Sequence, residues 1–97
     1  MVRYTEEEGK LICSFSHRLD STNCVKWEEG LFEKIKEKNA AVVFDLNDVN
    51  YIASHFLRIC LKVSKESGKG NFKIINAHDN VKKVFKMSNM EREFKIK

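Results

Sequence analysis

Ser54 stands at a junction where a hydroxyl group can do two kinds of work. It follows Tyr51-Ile52-Ala53 and precedes a run in which Phe56, Ile59, Cys60 and Val63, widened by Leu57 and Leu61, recur at helical spacing. This spacing predicts a helix from Ser54 to about Ser67. A serine at a helix start can accept a hydrogen bond from a free N–H of the first turn, worth about 1 kcal/mol. It can also carry a phosphate. The N-terminus of a helix offers N–H donors and partial positive charge. A phosphoryl group there adds roughly −2 charge to the surface without unfolding the domain.

The other reactive side chains form no comparable arrangement. Cys13, Cys24 and Cys60 are odd in number, widely separated and without a C-x-x-C pair. Each falls on an apolar-leaning face, which predicts buried, reduced thiols. Together with His17, His55 and His78 they lack the spacing of a metal site. The sequence holds no evident nucleophile–base pair or phosphate-binding loop. Neither enzymatic activity nor a cofactor is expected.

The elements that must position Ser54 can be read from periodicity. Val2–Glu6 is a short edge-strand candidate, Glu8-Gly9-Lys10 a turn, and Leu11, Cys13 and Phe15 one face of a second strand. Asp20-Ser21-Thr22-Asn23 is rich in helix-cap types. Cys24, Trp27, Leu31 and Ile35, flanked by Phe32, then predict a helix to about Lys38. Its charge pairs roughly cancel. Glu29–Glu33 and Glu33–Glu37 repel, while Glu33–Lys36 and Lys34–Glu37 attract by about 0.2–0.5 kcal/mol each. Packing of the apolar face must therefore hold it.

Ala40–Leu46 is an apolar run broken only by Asp45, as expected of a central strand. Asn47-Asp48-Val49-Asn50 is expected to turn the chain as a loop, with Tyr51 and Ile52 pointing inward or sideways. After the helix of Ser54, Gly68-Lys69-Gly70 is a stop signal. Asn71–Asn76 is the next strand candidate. Asp79 or Asn80 is expected to cap a short helix bearing Val81, Val84 and Phe85, ended by Ser88-Asn89-Met90. Glu93-Phe94-Lys95-Ile96 alternates as a last edge strand. The order β-β-α-β-α-β-α-β implies crossover connections and parallel pairing for the strands joined through helices. Its fold class is α/β.

With 97 residues the chain is one domain, 1–97. A hydrophobic content of 42% with clear periodicity argues against disorder. No apolar run approaches the ~20 residues of a membrane span, and Met1–Glu8 contains no apolar signal core, so a cytoplasmic location is expected. The net charge of +4 is uneven. Residues 1–50 carry 7 Lys/Arg against 10 Asp/Glu, and residues 51–97 carry 11 against 4. The lysines are scattered along amphipathic elements and no stacking-aromatic or groove-helix motif accompanies them. A solvated face is expected rather than nucleic-acid binding. The short, lysine-bearing last strand favours a monomer or weak dimer.

The stretch Ala41-Val42-Val43-Phe44-Asp45-Leu46-Asn47-Asp48-Val49-Asn50-Tyr51-Ile52-Ala53-Ser54-His55-Phe56-Leu57 resembles the STAS domain of bacterial anti-sigma factor antagonists. That family's pattern is roughly V-V-L-D-L-S-x-V-x-F-I-D-S-S-G-L. Ala53 stands in place of its last Asp, and His55-Phe56 in place of Ser-Gly. Leu19-Asp20 is similar to the family's G-x-L-D, with His17 in the glycine's place, and Val81–Met90 is similar to its V-x-x-x-L-x-x-S-G-L helix end. The resemblance spans nearly the whole chain. It implies a mixed sheet with helices mainly on one face. It also implies a regulatory protein-binding domain whose partner is a histidine-kinase-like anti-sigma factor that acts as a serine kinase.

Ser54 is then the candidate phospho-acceptor, and Asp20, Asn50, Ser54, His55, Phe56 and Arg58 the expected partner surface. Phe56 is either an exposed anchor on that surface or part of the core, and His55 is expected to be a solvated loop histidine. The same fold also serves as a constitutive adaptor subunit of lipid-transport ABC systems and in stressosome-like scaffolds, and that alternative needs no phosphorylation.

Overall fold

The computed structural model describes residues 2–68 and 70–97. Two strands, β1 (Val2–Glu7) and β2 (Lys10–Leu19), form an antiparallel hairpin. Glu8 and Gly9 make the turn at φ +49° and +76°. Two consecutive positive φ values suit a two-residue hairpin, and the second position takes a glycine at no steric cost. Next come α1 (Ser21–Lys38), β3 (Ala41–Ile52), α2 (Ser54–Ser67), β4 (Phe72–Ile75), α3 (Asp79–Met87) and β5 (Lys95–Ile96). The sheet order is β1-β2-β3-β4-β5, so strand order equals chain order. Strands β2 to β5 are mutually parallel, as helical crossovers require.

All three helices pack on one face of the sheet. Leu11, Cys13 and Phe15 of β2, Val42, Phe44 and Leu46 of β3, and Phe72 and Ile74 of β4 meet Cys24, Leu31 and Ile35 of α1, Phe56, Ile59, Cys60 and Val63 of α2, and Val81 and Phe85 of α3. A relay of aromatic rings runs through this core. Phe15 contacts Phe44 at 4.8 Å, Phe44 contacts Phe72 at 4.8 Å, and Phe72 contacts Phe94 at 4.9 Å between centroids. Edge-to-face pairs of this kind add about 0.5–1.5 kcal/mol each beyond area burial. The reverse face carries Ile12, Val43 and Lys73 as mutual neighbours across β2, β3 and β4.

Four local expectations are corrected by the structure. Asn47–Asn50 is not a loop: β3 continues through it to Ile52. The register against β2 shifts twice, once between Ser14/Ser16 and once between His17/Arg18. Each shift is a bulge that inserts an extra β3 residue, so the buried positions Leu46, Val49 and Ile52 fall three apart instead of two. Tyr51 consequently points out to solvent, at 41% exposure, while Ile52 is buried.

The third helix begins at Asp79, with His78 rather than Asp79 or Asn80 at the cap position. The side chain of Asn80 instead donates to the Asn50 carbonyl at 3.0 Å. The last strand is only Lys95–Ile96, because Met90–Arg92 forms a 3-10 turn and Phe94 drops into the core. Helix α2 does end at Gly68, whose N–H donates to the Ser64 carbonyl. Lys69 of the expected stop signal lies outside the described residues.

The three cysteines are buried and free. Burial pushes the Cys13 thiol up to about 12. Burial, reinforced by the carboxylates of Glu28 and Asp20, pushes Cys24 up to about 11. Cys60 is raised well above its ordinary value, mainly by burial and then by the proximity of Cys24. A thiol whose pKa is raised in the folded state stabilises that state below the unfolded value near 9, and this contribution is lost as the pH climbs through the folded value. Stability is therefore expected to fall between pH 9 and about 11 to 12, by up to about 1.4 kcal/mol per pH unit for each thiol involved. Urea unfolding at stepped pH checks this. In the same range a thiol reagent should label the native protein slowly and the unfolded protein at all three sites.

Candidate functional site

The candidate site is built where β2 and β3 end side by side and two helices begin. Arg18 pairs with Tyr51 and Leu19 with Ile52 across the parallel strands. One residue further on, the Ala53 N–H donates to the Leu19 carbonyl at 3.0 Å. This bond fixes the start of α2 beside the start of α1. Asp20 and Ser54 thereby emerge at the same end of the sheet.

Asp20 caps α1: its Oδ1 accepts from the Asn23 N–H at 2.9 Å. Its Oδ2 lies 3.7 Å from Arg18 Nε, and Asn23 Nδ2 donates to the Arg18 carbonyl at 2.9 Å. The Arg18 guanidinium lies over the Tyr51 ring, 4.2 Å from its centroid. This half-exposed cluster presents a cation on an aromatic face beside a carboxylate. Contacts of this type recur at protein interfaces, which are enriched in Tyr and Arg. Neither Arg18 nor Tyr51 belonged to the expected partner surface. Arg18 sits in a polar run with no pattern to mark it, and the bulges that turn Tyr51 outward leave no composition signal.

Ser54 is the first residue of α2 and is exposed. It is not the cap. Ala53 holds that position in extended conformation, φ −109° and ψ 171°, and offers no side-chain hydrogen bond. The Ala53 carbonyl accepts from the N–H groups of Phe56 and Leu57. The Ser54 hydroxyl is therefore not used in the capping role that its position in the sequence suggested. Arg58 lies one turn further along α2 and is also exposed, at the i+4 spacing that places two side chains on one helix face.

Asn50 is exposed and near the second bulge, its carbonyl held by Asn80. His78 Nε2 donates to the Asn47 carbonyl at 2.6 Å, and Asn76 Nδ2 to Asp45 Oδ1 at 3.1 Å. The segment before α3 thus clasps the bulged half of β3.

The two residues after Ser54 turn away from solvent. His55 belongs to α2, not to a loop, and its Nε2 lies 2.6 Å from Glu28 Oε1 of α1, with both side chains partly buried. It serves to hold α1 against α2. Phe56 is fully buried, packed 5.3 Å from Phe15 and 6.3 Å from Trp27 between centroids. It cannot be an exposed interface anchor. Of the expected partner surface, Asn50, Ser54 and Arg58 are exposed, Asp20 and His55 are partly accessible, and Phe56 is buried.

His17 has φ +66° in the bulged end of β2. That region costs a non-glycine residue about 1–2 kcal/mol, against about 0.5–1 kcal/mol for the extra freedom glycine loses on folding. His17→Gly is therefore expected to raise stability by about 0.5 kcal/mol, whereas a β-branched His17→Val should lower it by more than about 1 kcal/mol. Urea unfolding of the two variants checks the ordering. Among the described residues, no group of three His, Cys, Asp or Glu side chains converges as a metal site requires.

The family model for the STAS domain matches residues 1–97. The chain belongs to the STAS family. Among curated proteins none matches the sequence, but the solved structures include close relatives in fold. An anti-sigma factor antagonist from Mycobacterium paratuberculosis superposes with a TM-score of 0.88 at 16% identity, over 99% of this chain and 83% of that one. An anti-sigma-factor antagonist (STAS) domain protein from Planctomyces limnophilus gives 0.88 at 17% identity, over 98% and 87%. The Bacillus cell fate determinant SpoIIAA in its phosphorylated form gives 0.74 at 12% identity, over 100% and 91%. All three likenesses are therefore of fold: the chain shares the STAS architecture of these solved antagonists.

Proposed function

We propose that this STAS domain is a cytoplasmic regulatory module that binds a histidine-kinase-like anti-sigma factor acting as a serine kinase, and that Ser54 is its phosphorylation switch. The observation that carries this reading is the state of Ser54: exposed, first in α2, and free of the capping role. It occupies the place of the family's switch serine. The docking surface comprises Asp20, Asn50, Ser54 and Arg58, extended by Arg18 and Tyr51. The unmodified hydroxyl is small and neutral and permits close approach. A phosphate would be accommodated locally by the free N–H groups of α2 and by Arg58 one turn away. Its charge and bulk would repel an acceptor surface shaped for a serine. The fold would be unchanged and only the complex would be lost.

Incubation with ATP and the kinase captured from native lysate tests the modification step. The expected result is one added phosphate, mapped to Ser54 by fragmentation and absent in Ser54→Ala. A captured ATPase subunit of a transport system, with no phosphate added, would instead identify a constitutive adaptor.

A further inference from the structure

We propose that the outward face of α3 is a docking surface for the anionic headgroups of a lipid bilayer. Because strand order equals chain order, the charge asymmetry of the sequence becomes an asymmetry in space. Residues 71–97, which build the β4–β5 edge and α3, carry seven Lys/Arg against three Asp/Glu. Three of the lysines, Lys82, Lys83 and Lys86, are exposed on α3. At 100° per residue Lys83 falls opposite the buried Val81 and Phe85, with Lys86 beside it and Lys82 on the flank. With Asp79, the first residue of the same helix, and the half-buried Ile96 of β5, the three lysines line a groove of about 340 Å³. Among the described residues, none of the three comes within 4 Å of a carboxylate.

The second observation is Met87. It is 78% exposed, and its position in α3, four residues after Lys83, puts the two on the same face. A flexible apolar side chain left in water among lysines gains nothing for the fold. In a headgroup layer it would be buried while the lysine stems snorkel to the phosphates. Nucleic acid fits less well, because the aromatic rings of this edge, Phe72, Phe85 and Phe94, are all buried and none is offered for stacking. Met87 also sits at the opposite end of α3 from Asn80, which is tied to Asn50, about 10 Å along the axis. Docking through Met87 would leave the Ser54 surface open.

Co-sedimentation with vesicles tests this, using phosphatidylcholine alone and phosphatidylcholine mixed with phosphatidylglycerol. The protein is expected to pellet with the mixed vesicles at low salt, to be released near ~0.5 M salt, and not to pellet with phosphatidylcholine alone. Each lysine contributes about fivefold, so Lys82→Gln/Lys83→Gln/Lys86→Gln should weaken partitioning about 100-fold. Met87→Ser should weaken it severalfold with the salt dependence unchanged. Failure to pellet with the mixed vesicles would overturn the proposal, as would binding unaffected by the triple substitution. Tighter retention on duplex DNA or polyglutamate than on vesicles at equal salt would also overturn it and assign the face to that polyanion. The wild-type comparison of vesicle types decides the matter independently of how the variants fold.

Discussion

Phe56→Ala should lower folding stability by about 3–5 kcal/mol, the range for emptying a buried aromatic site. The ring has no exposed surface and joins three elements of the core: it touches Phe15 of β2, Phe44 of β3 and Trp27 of α1. No single neighbour can collapse into the space left by the ring. A domain of this size holds about 5–15 kcal/mol in total, so the variant should be marginal at room temperature. Urea unfolding followed by circular dichroism would report it as a large drop in midpoint. A loss under about 1 kcal/mol would mean that the ring does not fill the core. The conservative Phe56→Leu should fold and bind its partner as the wild type does, because position 56 presents nothing to the surface.

Ser54→Glu should have its large effect on binding. Placing a carboxylate where the partner approaches is expected to weaken the complex about 100-fold, since like-charge or desolvated contacts cost several kcal/mol at an interface. The same substitution should change folding stability by less than about 0.5 kcal/mol. The side chain is exposed, and an anion at the first helical position is favoured by the helix dipole. Ser54→Ala should alter neither quantity appreciably, because Ala53 already holds the cap position without a side-chain bond. This separation of binding from stability distinguishes a switch residue from a structural one.

Most of the fold was legible because its periodicities are strong. The stripe Cys24, Leu31, Ile35 and the stripe Phe56, Ile59, Cys60, Val63 are the buried faces of α1 and α2. The apolar run from Val42 to Leu46 is the central strand. The run Asp20-Ser21-Thr22-Asn23 is recognisable as rich in cap types, and its first residue, Asp20, accepts the Asn23 N–H.

What escaped was decided by contacts distant in sequence. The polar residues Asn47–Asn50 look like a loop, yet they are held in β3 by pairing to Ser16 and His17 and by bonds from His78 and Asn80. Local composition cannot announce a bulge whose partner lies thirty residues away. His55 looked solvated because nothing nearby in sequence marks Glu28 as its partner. The cluster of Arg18 on Tyr51 is likewise a product of strand register. The positions of Asp20 before α1 and Ser54 at the start of α2 were thus legible, and the contacts of the residues around them were not.

The dissociation constant of the captured partner for wild type, Ser54→Ala and Ser54→Glu, measured side by side on folded protein, tests the central claim most directly. Equal constants for wild type and Ser54→Ala, with Ser54→Glu about 100-fold weaker, would establish a binding surface centred on Ser54 and switched by charge there. Equal constants for all three would contradict it: the partner would then dock elsewhere, and Ser54 would be an ordinary first residue of α2.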